Sequence, residues 1–269
     1  MIGQKNNREM IDNWRLNRSI PRCILIKGEV GSGRYTLAQY IAKVLGVNIT
    51  TVECSKDDVR EVIELSYKLQ QPACYVFRNI DVDMSESAKN ALLKIIEEPP
   101  NKAYFIFTTK PQGTLETIES RCTIMHMEPY TLIELKHFSD DMQLLKFYHT
   151  PGKLIYWSEQ NFDEFFTFCK NSINTILSGT GVQSLQIVNK LATKAGEDGY
   201  NPSEFIEIIS ILLIDELMLN KHQFLLLLSK ESYCLQALDN KSLKKDSIVD
   251  TYILWLRDFI DYVKEENVE

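Results

Sequence analysis

The stretch GEVGSGRYT, residues 28–36, has the glycine spacing of a phosphate-binding loop. The full pattern places two glycines around four variable residues, followed by Lys and then Ser or Thr. Gly28 and Gly33 supply those glycines, with Gly31 and Ser32 between them. In such a loop, successive backbone N–H groups and the N-terminus of the following helix point at an anion. The residues therefore predict a phosphate-binding geometry after a strand and before a helix.

Two residues of the loop depart from the pattern needed for nucleotide hydrolysis. Arg34 stands at the Lys position, and its planar guanidinium is not interchangeable with an ammonium at a close-packed site. Tyr35 places a ring where a small hydroxyl should bind Mg²⁺. Thr36 cannot substitute, because one step along a helix turns the side chain by roughly 100°. We predict a vestigial loop with no productively bound cofactor, and weak anion binding stays open.

The segments around this loop alternate between strand and helix patterns. Apolar, β-branched and aromatic runs predict strands, and amphipathic stretches between them predict helices. Strands separated by helices of this length predict a parallel sheet with right-handed crossovers. The predicted strands are 22–28, 48–54, 73–79 and 103–109, and the predicted helices are 34–45, 57–69 and 87–98.

The second half of the chain has helical periodicity and no convincing strand signal. We predict a small helical unit over 131–162, which contains the turn HTPGK at 149–153. Helices are then predicted near 163–177, 182–195, 203–219, 221–238 and 246–264. The predicted domains are an α/β core over 1–130, a helical lid over 131–162 and a helical collar over 163–269.

The charge is unevenly distributed along the chain. The net charge is −7, but residues 1–130 carry 17 Lys and Arg against 16 Asp and Glu, so the acidic excess lies in the remainder. An autonomous binder of duplex DNA usually has a basic excess, because it must neutralise phosphates. The composition therefore argues against stand-alone DNA binding and allows a role within a larger assembly.

Cysteine usage and hydropathy argue for a reducing, cytoplasmic location. The six cysteines lie far apart without a C-x-x-C pair, which predicts neither a disulfide framework nor a metal site. No run of eighteen apolar residues is present, so no membrane span is expected. The polar start MIGQKNNREM lacks the apolar region of a secretory signal.

Three further blocks resemble one protein family. The family is that of the AAA+ clamp-loader subunits, whose motifs these blocks resemble in the same order along the chain. The blocks are IGQ (2–4), NALLKIIEEPP (90–100) and FIFTTKPQGTLETIESRC (105–122). Among these the resemblance is closest to the bacterial DNA polymerase III delta-prime subunits, and it covers about residues 1–130. It implies an AAA+ fold, with an α/β P-loop core of a parallel sheet flanked by helices, then a small lid and an all-helical collar.

The resemblance also implies that a second nucleotide motif is degenerate. Asn79 and Ile80 fall where relatives have the Mg²⁺-binding Asp and the catalytic Glu. Asn carries no charge for a metal, and Ile can do no acid–base work. A register shift would bring Asp81 and Asp83 nearer to those positions, as an alternative. The four-cysteine zinc module of many relatives is absent, so no metal is assigned.

The resemblance implies a role in trans for Ser120-Arg121-Cys122. In relatives this arginine reaches across a subunit interface to the γ-phosphate of ATP held by the neighbour. A guanidinium supplied there stabilises charge on the transferred phosphoryl group and is worth about 10³–10⁵ in rate. The alternative reading is a surface arginine at a strand end.

The function implied is that of a non-catalytic, stator-type subunit of a DNA polymerase clamp loader. The implied partners are the other subunits of a hetero-oligomeric ring, the sliding clamp and primed DNA within the assembly, with no membrane. Two alternatives remain: an ATP-hydrolysing subunit of the gamma/tau type, and a stand-alone DNA-binding AAA+ relative. The sequence leaves open the stoichiometry of the ring, the identity of its partners and a chromosomal or phage origin.

Overall fold

The computed structural model describes residues 1–81, 84–113, 116–178, 187, 200–240 and 242–266. The chain forms two compact units, Met1–Glu159 and Gln160–Glu269. The helices of the predicted lid belong to the first unit, together with the sheet.

A five-stranded parallel sheet forms the centre of the first unit. Its spatial order is β2-β3-β4-β1-β5, and each neighbouring pair of strands is parallel. The sequence predicted four of these strands; the fifth follows the SRC motif directly and was not identified. The strands are β1 (Cys23–Lys27), β2 (Ile49–Val52), β3 (Ala73–Phe77), β4 (Ala103–Thr109) and β5 (Thr123–His126).

Helices cover both faces of the sheet, as predicted for an α/β core. Apolar side chains of β1, β3 and β4 point alternately into two hydrophobic clusters, one on each face. Such burial on both faces is typical of parallel sheets with helical crossovers. The helices of this part are α1 (Lys5–Leu16), α2 (Arg34–Leu45), α3 (Lys56–Tyr67), α4 (Glu86–Glu97) and the single turn α5 (Glu116–Glu119).

Local capping sets where these helices begin and end. Ser55 and Ser85 precede α3 and α4, and each hydroxyl accepts a hydrogen bond from the backbone N–H three residues on. A cap of this kind satisfies an N–H that has no partner inside the helix. Helix α2 ends at Gly46, whose φ of 69° lies in the left-handed region that glycine adopts most readily.

Three short helices follow the sheet in the first unit. They are α6 (Leu132–Leu135), α7 (Met142–Phe147) and α8 (Pro151–Glu159). Thr131 and Glu134 form a reciprocal capping box at the start of α6, and Asp141 caps α7. The segment Pro151-Gly152-Lys153, predicted as part of a turn, instead forms the first turn of α8, where proline is well tolerated.

The second unit is helical in its described part, in agreement with the prediction. Its helices are α9 (Phe162–Ser178), α10 (Pro202–Leu217), α11 (Lys221–Asp239) and α12 (Lys245–Glu266). The helix predicted at 182–195 falls almost entirely outside the described residues. In the core of this unit, the hydroxyls of Ser210 on α10 and Tyr252 on α12 are hydrogen bonded across 2.5 Å.

The described residues contain no helix long and apolar enough to cross a membrane. Among the same residues, no cluster of His, Cys, Asp and Glu has the composition of a metal site. All six cysteines are free thiols, five of them buried. Burial raises the pKa of the Cys23 and Cys74 thiols to about 12, so neither is a reactive thiolate near neutral pH.

Candidate functional site

The predicted phosphate loop lies between β1 and α2, at the carboxyl edge of the sheet. Gly31 and Gly33 have φ values of 83° and 89°, so both occupy the left-handed region that disfavours other residues. A side chain on Gly28 would collide with Met127 and with the Ser32 hydroxyl. The glycine pattern thus produces the compact strand–loop–helix geometry that the sequence predicted.

Arg34 bonds to Asn79 across this edge. The Arg34 guanidinium donates from Nη2 to Oδ1 of Asn79 over 3.0 Å, although the two residues are 45 positions apart. Arg34 is 8% exposed, and its burial lowers the guanidinium pKa, while nearby Asp81 and Glu29 favour the charged form. The residues at the lysine and Mg²⁺-ligand positions of the motifs therefore bond to each other.

The side chain of Tyr35 contacts groups other than this pair. The Tyr35 hydroxyl is hydrogen bonded to Thr51 at 3.0 Å on the edge strand β2, and the Arg78 guanidinium lies 4.8 Å from the centre of the Tyr35 ring. Thr36 is exposed. The Tyr35 hydroxyl is thus bonded to Thr51 and does not take the place of the missing hydroxyl beside Arg34.

The residues that follow β3 are hydrogen bonded to β4. Asn79 has a φ of 49°, and its backbone N–H donates to Thr108 Oγ1 over 3.0 Å. The Ile80 backbone N–H donates to Thr108 O, and its side chain is buried in the core. Asp81, the described candidate for a shifted register, accepts from the Lys110 N–H at 3.4 Å; Asp83 lies outside the described residues.

Two buried donors of the loop have no protein partner in the described part of the chain. They are Ser32 Oγ and Arg34 Nη1, in residues 4% and 8% exposed. Such donors suit a small anion or a water molecule. The positions that would hold Mg²⁺ and activate water offer an amide and an alkyl group, so these residues do not fit a hydrolytic Mg²⁺–nucleotide site.

Residues between Tyr130 and Gly152 donate hydrogen bonds to the backbone of the phosphate loop. Three consecutive loop carbonyls accept hydrogen bonds, at 3.0, 2.8 and 2.9 Å, from Thr150 Oγ1, Gly152 N and Tyr130 Oη. The backbones meet so closely that a Cβ on Gly152 would lie 2.7 Å from Gly31 Cα. The loop is thereby bonded directly to the start of α8.

The N-terminal IGQ block is bonded to the chain just after β5. Gln4, 2% exposed, donates from Nε2 to Glu128 O and accepts from the Glu128 N–H, at 2.7 and 2.8 Å. These two hydrogen bonds between the Gln4 side chain and the Glu128 backbone hold the start of α1 beside the end of β5.

The Ser120-Arg121-Cys122 segment lies between α5 and β5. Arg121 is exposed, and its guanidinium bonds to Glu97, to Thr117 O and to Ser120 Oγ. Cys122 packs against the core, and burial with neighbouring Cys23 raises the pKa of its thiol to about 12. In this segment the Cys122 thiol therefore packs against the core, while the Arg121 guanidinium is exposed.

Sequence reasoning missed an ion pair that holds this segment to β1. Lys27 Nζ lies 2.6 Å from Glu119 Oε1, and the Lys27 side chain is only 9% exposed. A lysine that ends a wholly buried strand was the available signal, since a buried ammonium requires a partner. The pair joins the strand before the phosphate loop to the residue two positions before Arg121.

Comparisons with known proteins relate part of the chain to subunits of DNA polymerase III. Residues 55–131 match the family model described as DNA polymerase III, delta subunit. The gamma subunit of DNA polymerase III from Buchnera aphidicola is 30% identical over 177 residues, which cover 54% of this chain and 48% of that one. The delta' subunit from Escherichia coli K12 is 34% identical over 111 residues, 40% of this chain and 30% of that one.

Over about half of its length or less, the chain is similar to gamma, tau and delta' subunits of DNA polymerase III. A solved gamma subunit-related protein from Thermotoga maritima has the same fold: its TM-score is 0.57 at 14% identity, over 93% of this chain and 99% of that one. The chain spans about half or less of the length of the curated relatives named above. Their names divide between gamma and delta' subunits, so the likeness assigns no subunit type to this chain.

Proposed function

We propose that this chain is a non-catalytic, stator-type subunit of a DNA polymerase clamp loader. In the proposal, Arg121 completes the ATP site of a neighbouring subunit, and the chain's own phosphate loop hydrolyses nothing. The observation that supports this proposal most directly is the hydrogen bond between Arg34 and Asn79. The two residues that would have to bind Mg²⁺–ATP are bonded to each other instead.

The chemistry of the loop supports the absence of hydrolysis. Phosphoryl transfer depends on a cation at the β/γ-phosphates, a metal held by oxygen ligands and a positioned nucleophile. Arg34 uses one edge of its fork on Asn79, and Ile80 is turned into the core. A bound anion would compete with Asn79 for Arg34 and would still lack the metal ligand and the base.

The exposure and charge of Arg121 support a role outside the chain. An arginine finger must project from a fixed backbone, and the segment of Arg121 is anchored by Ile118 and Cys122 in the core. The fork of a guanidinium can contact two phosphate oxygens as charge develops on them.

The proposed partners are the other subunits of the ring, the sliding clamp and primed DNA within the assembly. The second unit would carry the contacts between subunits. Its helix α11 exposes neighbouring apolar side chains, with Phe224 37% and Leu225 53% exposed. Exposed apolar neighbours of this kind often mark an interface between proteins.

A second candidate is an ATP-hydrolysing subunit of the gamma/tau type. The likeness to gamma and tau subunits favours it, with a Bacillus subtilis tau subunit 27% identical over 153 residues. That candidate requires Arg34 to release Asn79 when nucleotide binds. A titration of the isolated chain with ATP, with and without Mg²⁺, separates the two, because only the gamma/tau type needs Mg²⁺-dependent binding and turnover.

The stator proposal is tested in a reconstituted loader with Arg121→Ala and Arg121→Lys, and with Arg60→Ala as an exposed-arginine control on α3. We expect Arg121→Ala to assemble normally yet lose hydrolysis at one site, with poor rescue by Lys because it lacks the fork. Undiminished hydrolysis and clamp loading in Arg121→Ala would reject the finger. Turnover by the isolated chain that Gly33→Val abolishes would reject the non-catalytic assignment.

A further inference from the structure

Arg121 is held from one side by a carboxylate on a different element. Its Nε donates to Glu97 Oε1 over 2.8 Å, and Glu97 is the last residue of α4. On the same guanidinium, Nη1 donates to Thr117 O at 2.8 Å and lies 3.2 Å from Ser120 Oγ. Within the part of the chain that the structure describes, Nη2 makes no hydrogen bond.

The end of α4, which carries Glu97, is packed into the core. The two residues before it, Ile95 and Ile96, are 0% and 3% exposed in the core, which fixes the end of α4. Glu97 itself is 51% exposed, and the Arg121 side chain is 36% exposed. Solvent thus reaches the pair and weakens its attraction, so Glu97 leaves the guanidinium able to bind an anion.

The pattern of bonds gives the guanidinium an orientation. A free arginine side chain samples many rotamers, and ordering it in the complex opposes binding. Glu97 and Thr117 accept hydrogen bonds from Nε and Nη1, and Nη2 is left without one among the described residues. A guanidinium held in this way offers Nη2 to an incoming phosphate, and less ordering of the side chain is left to do on binding.

We infer that Glu97 is a positioning residue, which orients Arg121 toward a nucleoside triphosphate held by a neighbouring chain. This inference rests on the proposed function, since it needs Arg121 to act in trans. It adds that the finger requires a carboxylate or amide oxygen on α4 that accepts the Nε–H.

The test uses the reconstituted loader with Glu97→Ala and Glu97→Gln. Glu98→Ala is the matched control, because Glu98 is the adjacent exposed glutamate and is not bonded to Arg121. We expect Glu97→Ala to lower kcat for ATP hydrolysis by about 10-fold with little change in KM, as for an interaction used in the transition state. Gln keeps an acceptor for Nε and should retain most of the activity.

Wild-type hydrolysis in Glu97→Ala, a rise in hydrolysis, or an equal loss in the Gln variant would overturn the inference. The Arg121→Ala background separates it from the proposed function. If Arg121→Ala leaves hydrolysis unchanged, the proposed function fails and the positioning role fails with it. If Arg121→Ala abolishes hydrolysis at one site while Glu97→Ala keeps the wild-type rate, only the positioning role fails.

An NMR measurement checks the pair in the isolated full chain. The Nε–H of Arg121 should exchange slowly with water in the wild type and in Glu97→Gln, and quickly in Glu97→Ala. In the loader, adding Glu97→Ala to Arg121→Ala should cause no further loss, because both changes act through one guanidinium. Equal exchange rates in all three chains, or an additional loss in the double variant, would contradict the role of Glu97.

Discussion

Arg34 Nη2 lies 3.0 Å from Asn79 Oδ1, so a hydrogen bond joins the first residue of α2 to the chain just after β3. The same bond explains how an arginine is accommodated at 8% exposure, since a buried guanidinium needs hydrogen-bond partners. In the sequence, Arg34 and Asn79 are two separate departures from the hydrolytic pattern. In the structure, their side chains bond to each other.

The first prediction concerns the stability of this contact. We expect Arg34→Met and Asn79→Ala each to lower the free energy of unfolding by about 1–2 kcal/mol. Asn79→Ala leaves the buried Arg34 guanidinium without this partner, and Arg34→Met does the same to the half-buried Asn79 amide. The double variant should lose less than the sum of the two, by about 0.5–1.5 kcal/mol. Urea denaturation measures all four chains, with exposed Thr36→Ala as the control. Strict additivity would contradict the coupling.

The second prediction concerns the pair Lys27–Glu119, whose side chains are 9% and 29% exposed. Glu119→Ala should destabilise the chain by about 3 kcal/mol, because it leaves a buried ammonium unpaired. Lys27→Met should cost less, since the remaining carboxylate reaches water and the methionine stem fills the space.

Urea unfolding checks this asymmetry. The pair Lys5–Glu9, with side chains 79% and 62% exposed, is the control, and Glu9→Ala should change stability by less than about 1 kcal/mol. A larger loss in Lys27→Met than in Glu119→Ala would contradict the burial argument.

The third prediction concerns the pH dependence of the second unit. Burial, aided by the Glu207 charge and opposed by a hydrogen bond to Ser210, raises the pKa of the Glu231 carboxyl from 4.5 to about 7. The folded chain therefore binds the proton more tightly than the unfolded chain. The stabilising contribution is complete below pH 4.5 and is lost as the pH rises through about 7.

Glu231→Gln has no carboxyl to ionise, so it should not lose this contribution to stability as the pH rises. Its free energy of unfolding relative to the wild type should rise by about 1–3 kcal/mol between pH 4.5 and pH 8. Chemical denaturation at several pH values measures the difference. Glu216→Gln removes the same charge from an exposed position on α10 and controls for net charge. A constant difference between Glu231→Gln and wild type across this range would contradict the raised pKa.

The fourth prediction concerns assembly through α11. Leu225→Glu should leave the isolated chain folded, because Leu225 is 53% exposed, and should weaken its incorporation into the loader by at least 10-fold. A charge at an interface must be desolvated without a partner, which opposes association. Gln236→Glu adds the same charge about three turns along the helix. Equal incorporation of both variants, measured by size-exclusion chromatography with the partner subunits, would contradict the assigned surface.

Much of the fold could be predicted because its signals are local. Buried strands read as apolar runs such as 22–28 and 103–109, and serine caps mark the starts of α3 and α4. The fifth strand, Thr123–His126, was not predicted because it is only four residues long and its burial is mixed, with two half-buried positions, one buried and one exposed. The start of α8 was read as a turn, since Pro-Gly signals both a turn and the first turn of a helix.

The amino-acid sequence by itself determined the alternating strands and helices, the glycine geometry of the loop, and the residue types at positions 34, 79, 80 and 121. Only the tertiary structure decided that Arg34 meets Asn79, that Lys27 meets Glu119 and that Glu97 holds Arg121. These partners are 45, 92 and 24 residues apart. They meet because β4 lies between β1 and β3 and β5 lies beside β1, an order that depends on side-chain packing across the whole sheet.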